Sequence, residues 1–219
     1  MTLSQEYIDL KAKHYIPYQD FEPFIINNVL SNEEIQDIRD LIKRTPKERG
    51  FMKPWGVFGF QQKSTRKLEE KLQRIADEHF PGLEFLEVNI GRYANMGGLK
   101  SKLFPHWDFP RVPKRYFFDD VKQNMVFDIQ LEADWEWPII VEGKEYILND
   151  NQALVFSGTQ QLHWRKGYLP IGKSVNMLFC YFTFADHRTL VPDQFQIMEE
   201  RAALLMDQTG LNWDPEPIE

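Results

Sequence analysis

From about residue 86 onward, apolar and polar residues alternate in short runs, and a period of two marks strands with one buried face. Leu86-Glu87-Val88-Asn89-Ile90, continuing through Arg92-Tyr93, is the first such run, and Met96-Gly97-Gly98 turns the chain. Strands are expected over 101–109, 126–131 and 138–141; Glu142-Gly143-Lys144 reads as a tight hairpin turn into 145–148. Asn149-Asp150-Asn151 turns the chain again, 153–156 is a short buried strand, and Ser157-Gly158-Thr159 is a further turn. The strands 161–166 and 173–184 follow, the latter the most apolar of all. The segment 110–122 is too polar and proline-containing for a core and reads as a loop.

Before residue 86 the period is helical. Ser31 and Glu34 form a capping box, and Ile35, Ile38, Leu41 and Ile42 follow on one stripe. A second amphipathic helix is expected from about Ser64 to His79, with Leu68, Leu72, Ile75 and Ala76 on one side and Pro81-Gly82 at its end. Residues 1–30 read as mixed, with a short strand at Phe24-Ile25-Ile26, and 45–62 reads as loop. One more amphipathic helix is expected over 193–207. About eight short strands behind two helices predict a mainly β (α+β) fold, an antiparallel jelly roll or cupin-like double-stranded β-helix. Its core spans about 86–184, the N-terminal helical region over residues 1–85 packs on one sheet, and all 219 residues form one domain.

Composition narrows the classes. Hydrophobic residues make up 42% and aromatics 14%, which excludes disorder and calls for an aromatic-rich interior. A formal charge of −7 gives no global field for nucleic acid or an anionic membrane, so neither is expected as a partner. No basic region followed by an apolar core opens the sequence, no apolar run is long enough to span a membrane, and Cys180 has no second cysteine to pair with. A reducing, cytoplasmic setting is therefore expected, with Cys180 a buried thiol. Helix 193–207 either packs on the sheet or mediates a homodimer.

The candidate chemistry lies in Phe104-Pro105-His106-Trp107-Asp108-Phe109. On a strand, His106 and Asp108 share a face and supply two ligands of a facial triad. His163 is the candidate third ligand, leaving open metal positions for substrate and oxygen. Arg165 shares the face of His163, and Lys173 opens the next strand behind a glycine-containing turn. Asn124, Asp128 and Gln130 share one face of a strand, as polar groups either inside a barrel near substrate or toward solvent. Arg111, Lys114 and Arg115 suit either a clamp on an acidic substrate or a solvated lid with substrate contacts, the lid being favoured, whereas His14, His79 and His187 lack partners at useful spacing.

This order of residues resembles the Fe(II)/2-oxoglutarate-dependent dioxygenase superfamily, and within it the prolyl-4-hydroxylase-like group. The run from Trp135-Glu136-Trp137-Pro138 through Gly143, Asp150 to Gly158 and His163-Trp164-Arg165 is similar to a bacterial and phage subset of it. The resemblance implies Fe(II) held by His106, Asp108 and His163, with 2-oxoglutarate and O2 as cosubstrates. It implies a basic residue on the 2-oxoglutarate C-5 carboxylate, either Lys173 by position or Arg165 as the better bidentate partner. Tyr93 would hydrogen-bond the cosubstrate. The implied reaction is oxidative decarboxylation of 2-oxoglutarate to succinate and CO2, coupled to C–H hydroxylation of a prolyl or peptidyl residue, a free amino acid or a small metabolite. Asp108 points to hydroxylation, because halogenating relatives carry a small residue there. Two other classes fit some of the pattern, a non-catalytic jelly-roll module holding a structural or sensory metal and a zinc hydrolase on a similar barrel. Two interior cations argue against the first, and only five histidines against the second.

Overall fold

A computed structural model of the chain describes residues 4–13, 21–44, 51–52, 57–62, 65–95, 102–103, 105–106, 108, 125–158, 160–184 and 192–209. In chain order the first elements are α1 (Gln5–Lys13), β1 (Phe24–Asn27), α2 (Asn32–Arg44), β2 (Phe51–Met52), β3 (Val57–Gln62) and α3 (Arg66–His79). Next come β4 (Leu83–Ala94), β5 (Met125–Ala133), β6 (Ile139–Val141), β7 (Lys144–Tyr146) and β8 (Gln152–Phe156). β9 (His163–Arg165), β10 (Ser174–Phe184) and α4 (Pro192–Thr209) complete the chain.

Local signals explain most boundaries. The Ser31 backbone amide donates to the Glu34 carboxylate at 2.7 Å, and the Glu34 amide donates to the Ser31 hydroxyl at 3.2 Å, a reciprocal capping box. α3 begins at Arg66, close to the expected start, and its N-cap is Thr65, whose hydroxyl accepts the Leu68 amide at 3.3 Å. β6 and β7 pair with Val141 opposite Lys144, and the two loop residues Glu142 and Gly143 both have positive φ (51° and 81°). A two-residue hairpin whose loop matches the strand twist needs that conformation.

All the pairings are antiparallel. One sheet has the order β1-β8-β5-β10-β4-β3-β2, and the other has β7-β6-β9. The shorter sheet is extended beyond β9 by an isolated bridge between His163 and His106. This arrangement is consistent with the jelly roll expected from the alternation. Along β10, Leu178, Cys180 and Phe182 face one way, in a cluster with Ile35, Ile38 and Ile42 of α2 and Leu68, Leu72 and Ala76 of α3. Val175 and Met177 face the other way, in a cluster with Tyr93, Trp137, Ile139, Val141 and Phe156 between the two sheets. The helices thus cover the outer face of the long sheet, and its inner face looks onto the short one. Cys180 is fully buried, and burial pushes its thiol well above the usual range.

Three elements differ from the expectation. α1 lies in a stretch read as mixed, and β2 and β3 lie in one read as loop. α1 is short, with only Tyr7 buried, so it shows almost no apolar stripe. β3 pairs with β4, and that partner, not its own alternation, makes it a strand. The expected 110–122 loop, Asn124, His14 and His187 lie outside the described residues, as do portions of the expected strand 101–109.

α1 and α4 are fastened to the short sheet by one carboxylate. Glu142 accepts from the Tyr7 hydroxyl, from Arg201 Nη2 at 3.0 Å, from Lys11 Nζ at 3.2 Å and from the Leu162 amide at 3.1 Å. Burial opposes ionisation of Glu142, but Arg201 and Lys11 outweigh it and hold the carboxyl below its usual range. A carboxyl lowered in the folded state stabilises above its unfolded pKa of ~4.3 and loses that contribution as pH falls toward the folded value. Glu142→Ala should cost about 3–5 kcal/mol, because it strands a buried Arg201. Urea unfolding at pH 7 checks this. In the variant, the fall in stability below pH ~4.3 should be correspondingly shallower.

Candidate active site

The site begins with a backbone contact. The His106 amide donates to the His163 carbonyl at 3.0 Å, and the His163 amide returns a bond to the His106 carbonyl at 3.1 Å. The Arg165 amide donates to the Leu103 carbonyl at 3.1 Å, and the Asp108 amide to the Gly158 carbonyl at 2.9 Å. Residues 103–108 are thereby laid along the free edge of β9 and against the turn after β8. The histidine rings come to 4.2 Å between centroids. His163 Nε2 lies 3.3 Å, and His106 Nε2 3.9 Å, from Asp108 Oδ1. One ligand atom from each of His106, Asp108 and His163 falls within 4.8 Å of the others.

His163 is buried and His106 and Asp108 partly so. His163 Nδ1 lies 3.0 Å from the Gln161 carbonyl, a contact that places the proton on Nδ1 and turns Nε2 toward the other two groups. Burial opposes both charges, yet the Asp108–His163 attraction wins. Asp108 is held below the usual carboxylate range and His163 above the usual imidazole range. Two imidazoles and a carboxylate that together stabilise positive charge between them form a donor set suited to a divalent transition metal.

Gly158 makes room for this. A Cβ built there would lie 2.0 Å from Asp108 Oδ2, so any side chain would displace the carboxylate.

Next along β9, Arg165 is buried. Its Nη1 donates to the Trp137 carbonyl, its Nη2 touches the Met177 sulfur at 3.4 Å, and its Nε has no partner among the described residues. The guanidinium lies 5.2 Å from the Trp137 ring and 5.8 Å from the Tyr93 ring. No carboxylate pairs with it among the described residues, so it is a buried cation with capacity for an anion. Tyr93 is buried against Trp137, edge to face at 5.4 Å, and burial keeps its hydroxyl protonated and able to donate. Lys173 stands apart from this cluster. It is half-buried, with its ammonium 5.9 Å from the exposed Trp135 ring. His79 is exposed, its ring 5.0 Å from Phe24 and away from the cluster.

Asp128 and Gln130 are both buried, which resolves their face toward the interior. The sequence contained no signal for the roles of Gln161 and Gly158, since one acts through its carbonyl and the other through a missing side chain.

No family model matches the sequence, and no curated relative does. Solved structures do match in fold. HygX of Streptomyces hygroscopicus, with nickel, 2-oxoglutarate and hygromycin B bound, has a TM-score of 0.54 at 10% identity, over 86% of this chain and 90% of that one. The non-heme alpha ketoglutarate dependent epimerase SnoN from nogalamycin biosynthesis has a TM-score of 0.53 at 12% identity, over 82% and 81%. A Pseudomonas putida prolyl-4-hydroxylase has a TM-score of 0.51 at 16% identity, over 81% and 97%. The chain has the fold of the 2-oxoglutarate- and iron(II)-dependent oxygenases. Among the described residues no helix is long and apolar enough to cross a membrane.

The Gly158 geometry yields a direct test. Gly158→Ala should weaken binding of Fe(II) or Co(II) by about 10–100-fold, as loss of ligand positioning does at other metal sites. Metal titration followed by absorbance measures it, with circular dichroism confirming that the fold is retained.

Proposed function

We propose that this chain is a non-haem Fe(II)- and 2-oxoglutarate-dependent oxygenase that hydroxylates a C–H bond of a peptide, amino acid or small metabolite. The observation that carries this reading is the convergence of His106, Asp108 and His163 beside a buried guanidinium that has no carboxylate partner among the described residues. In this reading the three ligands hold Fe(II) on one side and leave the remaining coordination positions free. The donor set fits the metal. It is one carboxylate and two neutral imidazoles, with the His163 tautomer set by the Gln161 carbonyl.

Arg165 receives the C-5 carboxylate of 2-oxoglutarate. Its burial, its unpartnered Nε and its place two residues along β9 from His163 support it over Lys173, whose ammonium lies over Trp135. A buried guanidinium meeting a carboxylate gains a charge-assisted, bidentate contact and loses its own uncompensated charge. Tyr93 donates from the facing sheet, and Trp137 and Met177 exclude water around the pair. With iron and 2-oxoglutarate bound, the site supplies the oxidising power that turns 2-oxoglutarate and O2 into succinate and CO2 while a substrate C–H bond becomes C–OH.

Anaerobic titration with Fe(II) and then 2-oxoglutarate tests the proposal. A weak visible charge-transfer band near ~500–530 nm is expected from an oxo acid chelated at such a triad. His106→Ala should abolish it. Arg165→Ala should raise the 2-oxoglutarate concentration needed for half-saturation by about tenfold or more, in line with roughly 2–5 kcal/mol for truncating a buried charge pair. Lys173→Ala should leave it within about twofold, as for an exposed pair. Bound iron without any band would favour a non-catalytic metal-binding module, and dependence on Lys173 instead of Arg165 would reverse the cation assignment.

A further inference from the structure

The space between the two sheets is closed at one end and open at the other. Along the inner face of β10, Val175 and Met177 have no exposure, whereas Phe179 and Tyr181 are half-buried. Along β4, Tyr93 and Gly91 are buried and Asn89 and Glu87 half-buried. The same gradient crosses the triad, from a His163 side chain at 4% exposure to Asp108 at 16% and His106 at 21%. On β5 and β8 this face stays shut, with Val126, Asp128, Leu154 and Phe156 all buried.

Strand order brings the open edges together. Arg165 of β9 touches Met177 of β10, so β9 lies over β10 and this contact marks the closed level. β6 and residues 103–108 flank β9, as β5 and β4 flank β10. Ile139 and Val141 of β6 share a cluster with Val126 and Leu154, which leaves His106 and Asp108 over β4. Register gives the other level. Tyr181 is opposite Glu87 on β4 and Val126 on β5, and Val126 is opposite Phe156, whose ring lies 4.7 Å from that of His163. Tyr181 and Glu87 therefore stand at the level of the ligands, across from His106 and Asp108.

The span assigned above to 2-oxoglutarate runs the other way, from the triad toward Arg165 and Tyr93. Phe179 stands between that span and the mouth. Its ring lies against Gly91, where an added Cβ would collide with Cε2, and it meets the Tyr93 ring edge to face at 6.5 Å. With the cosubstrate behind Phe179, the open approach to the metal passes Tyr181 and Glu87.

These two residues set what the mouth can hold. The Tyr181 hydroxyl has no hydrogen bond among the described residues, and burial, then the charges of Asp108 and Asp128, hold it well above the usual phenol range. It stays protonated and donates. Glu87 accepts, and Asn89 Nδ2 donates to its Oε1 at 3.4 Å. Hydrocarbon would leave donor and acceptor unanswered. An ammonium has no acceptor for the Tyr181 proton, and a carboxylate has no donor for Glu87. Given the oxygenase reading above, on which this inference rests, we infer that Tyr181 and Glu87 bind the substrate through an uncharged group that both donates and accepts hydrogen bonds, an amide or a hydroxyl.

The test uses the full chain with Fe(II) and 2-oxoglutarate under anaerobic conditions, where a shift of the charge-transfer band reports a filled mouth without turnover. N-acetyl-L-prolinamide and glucose serve as amide and hydroxyl probes. The controls are n-butylamine as a cation, pivalate as an anion and 1,4-dioxane as a pure acceptor. At least one of the two probes should shift the band, at a lower concentration than any control, and which one responds tells amide from hydroxyl. Tyr181→Phe should raise the half-saturating concentration of that probe about three- to tenfold, the loss of one hydrogen bond, and Glu87→Ala by a similar factor. Half-saturation by 2-oxoglutarate should stay within about twofold in both variants, whereas a merely structural role would weaken probe and 2-oxoglutarate together. A band indifferent to both probes or answering first to a control overturns this inference alone. So does a Tyr181→Phe variant that binds the probe unchanged or loses 2-oxoglutarate to the same degree. Absence of any band from the parent protein overturns the oxygenase reading and this inference with it.

Discussion

Everything at the site depends on two backbone hydrogen bonds exchanged between His106 and His163. They join residues far apart in the chain into one antiparallel hydrogen-bonded pair, whose two side chains lie directly opposite each other on one face of the sheet. Once that pair is made, Asp108 follows two residues on, held by the Gly158 carbonyl, and Arg165 follows two residues along β9. A slip of one residue in this register would turn all of these side chains to the other face. The hairpin through Glu142 and Gly143 keeps the register, since it fixes β6 against β7 while β6 pairs with β9.

The interior holds three kinds of buried charge, and the contrast between them carries the functional reading. Glu142 is fully answered, by Tyr7, Arg201, Lys11 and the Leu162 amide, so it fastens the terminal helices to the strand bearing His163. Asp108 and His163 answer each other, in a way that a metal ion replaces readily. Arg165 and Asp128 have no ion-pair partner among the described residues, though both are buried between the two sheets. Proteins rarely bury unanswered charge without a ligand to complete it.

Much of the frame was legible in advance. The alternation from Leu86 onward marks strands because one face of each is buried, and the Ser31–Glu34 box and the Ile35, Ile38, Ile42 stripe mark α2 through purely local chemistry. What escaped lacked such signals. β3 is a strand through its pairing with β4, and α1 is held by a single buried tyrosine and the Glu142 network rather than by its own stripe. Gln161 contributes only a carbonyl and Gly158 only an absent Cβ, and neither contribution is encoded in the residue type.

The sequence by itself determined the helices α2 and α3, the run of strands from Leu86 onward and the set of ligand-type residues, since periodicity, capping and His-x-Asp alternation are properties of neighbours along the chain. It left Arg165 competing with Lys173, with position favouring Lys173, and it left Asp128 on an undecided face. Only the tertiary structure showed how their surroundings differ, because burial and partnership depend on which strands face one another. It put Arg165 beside Trp137 and Met177 and left Lys173 over an exposed indole. It also turned Asp128 inward between the two levels of the site.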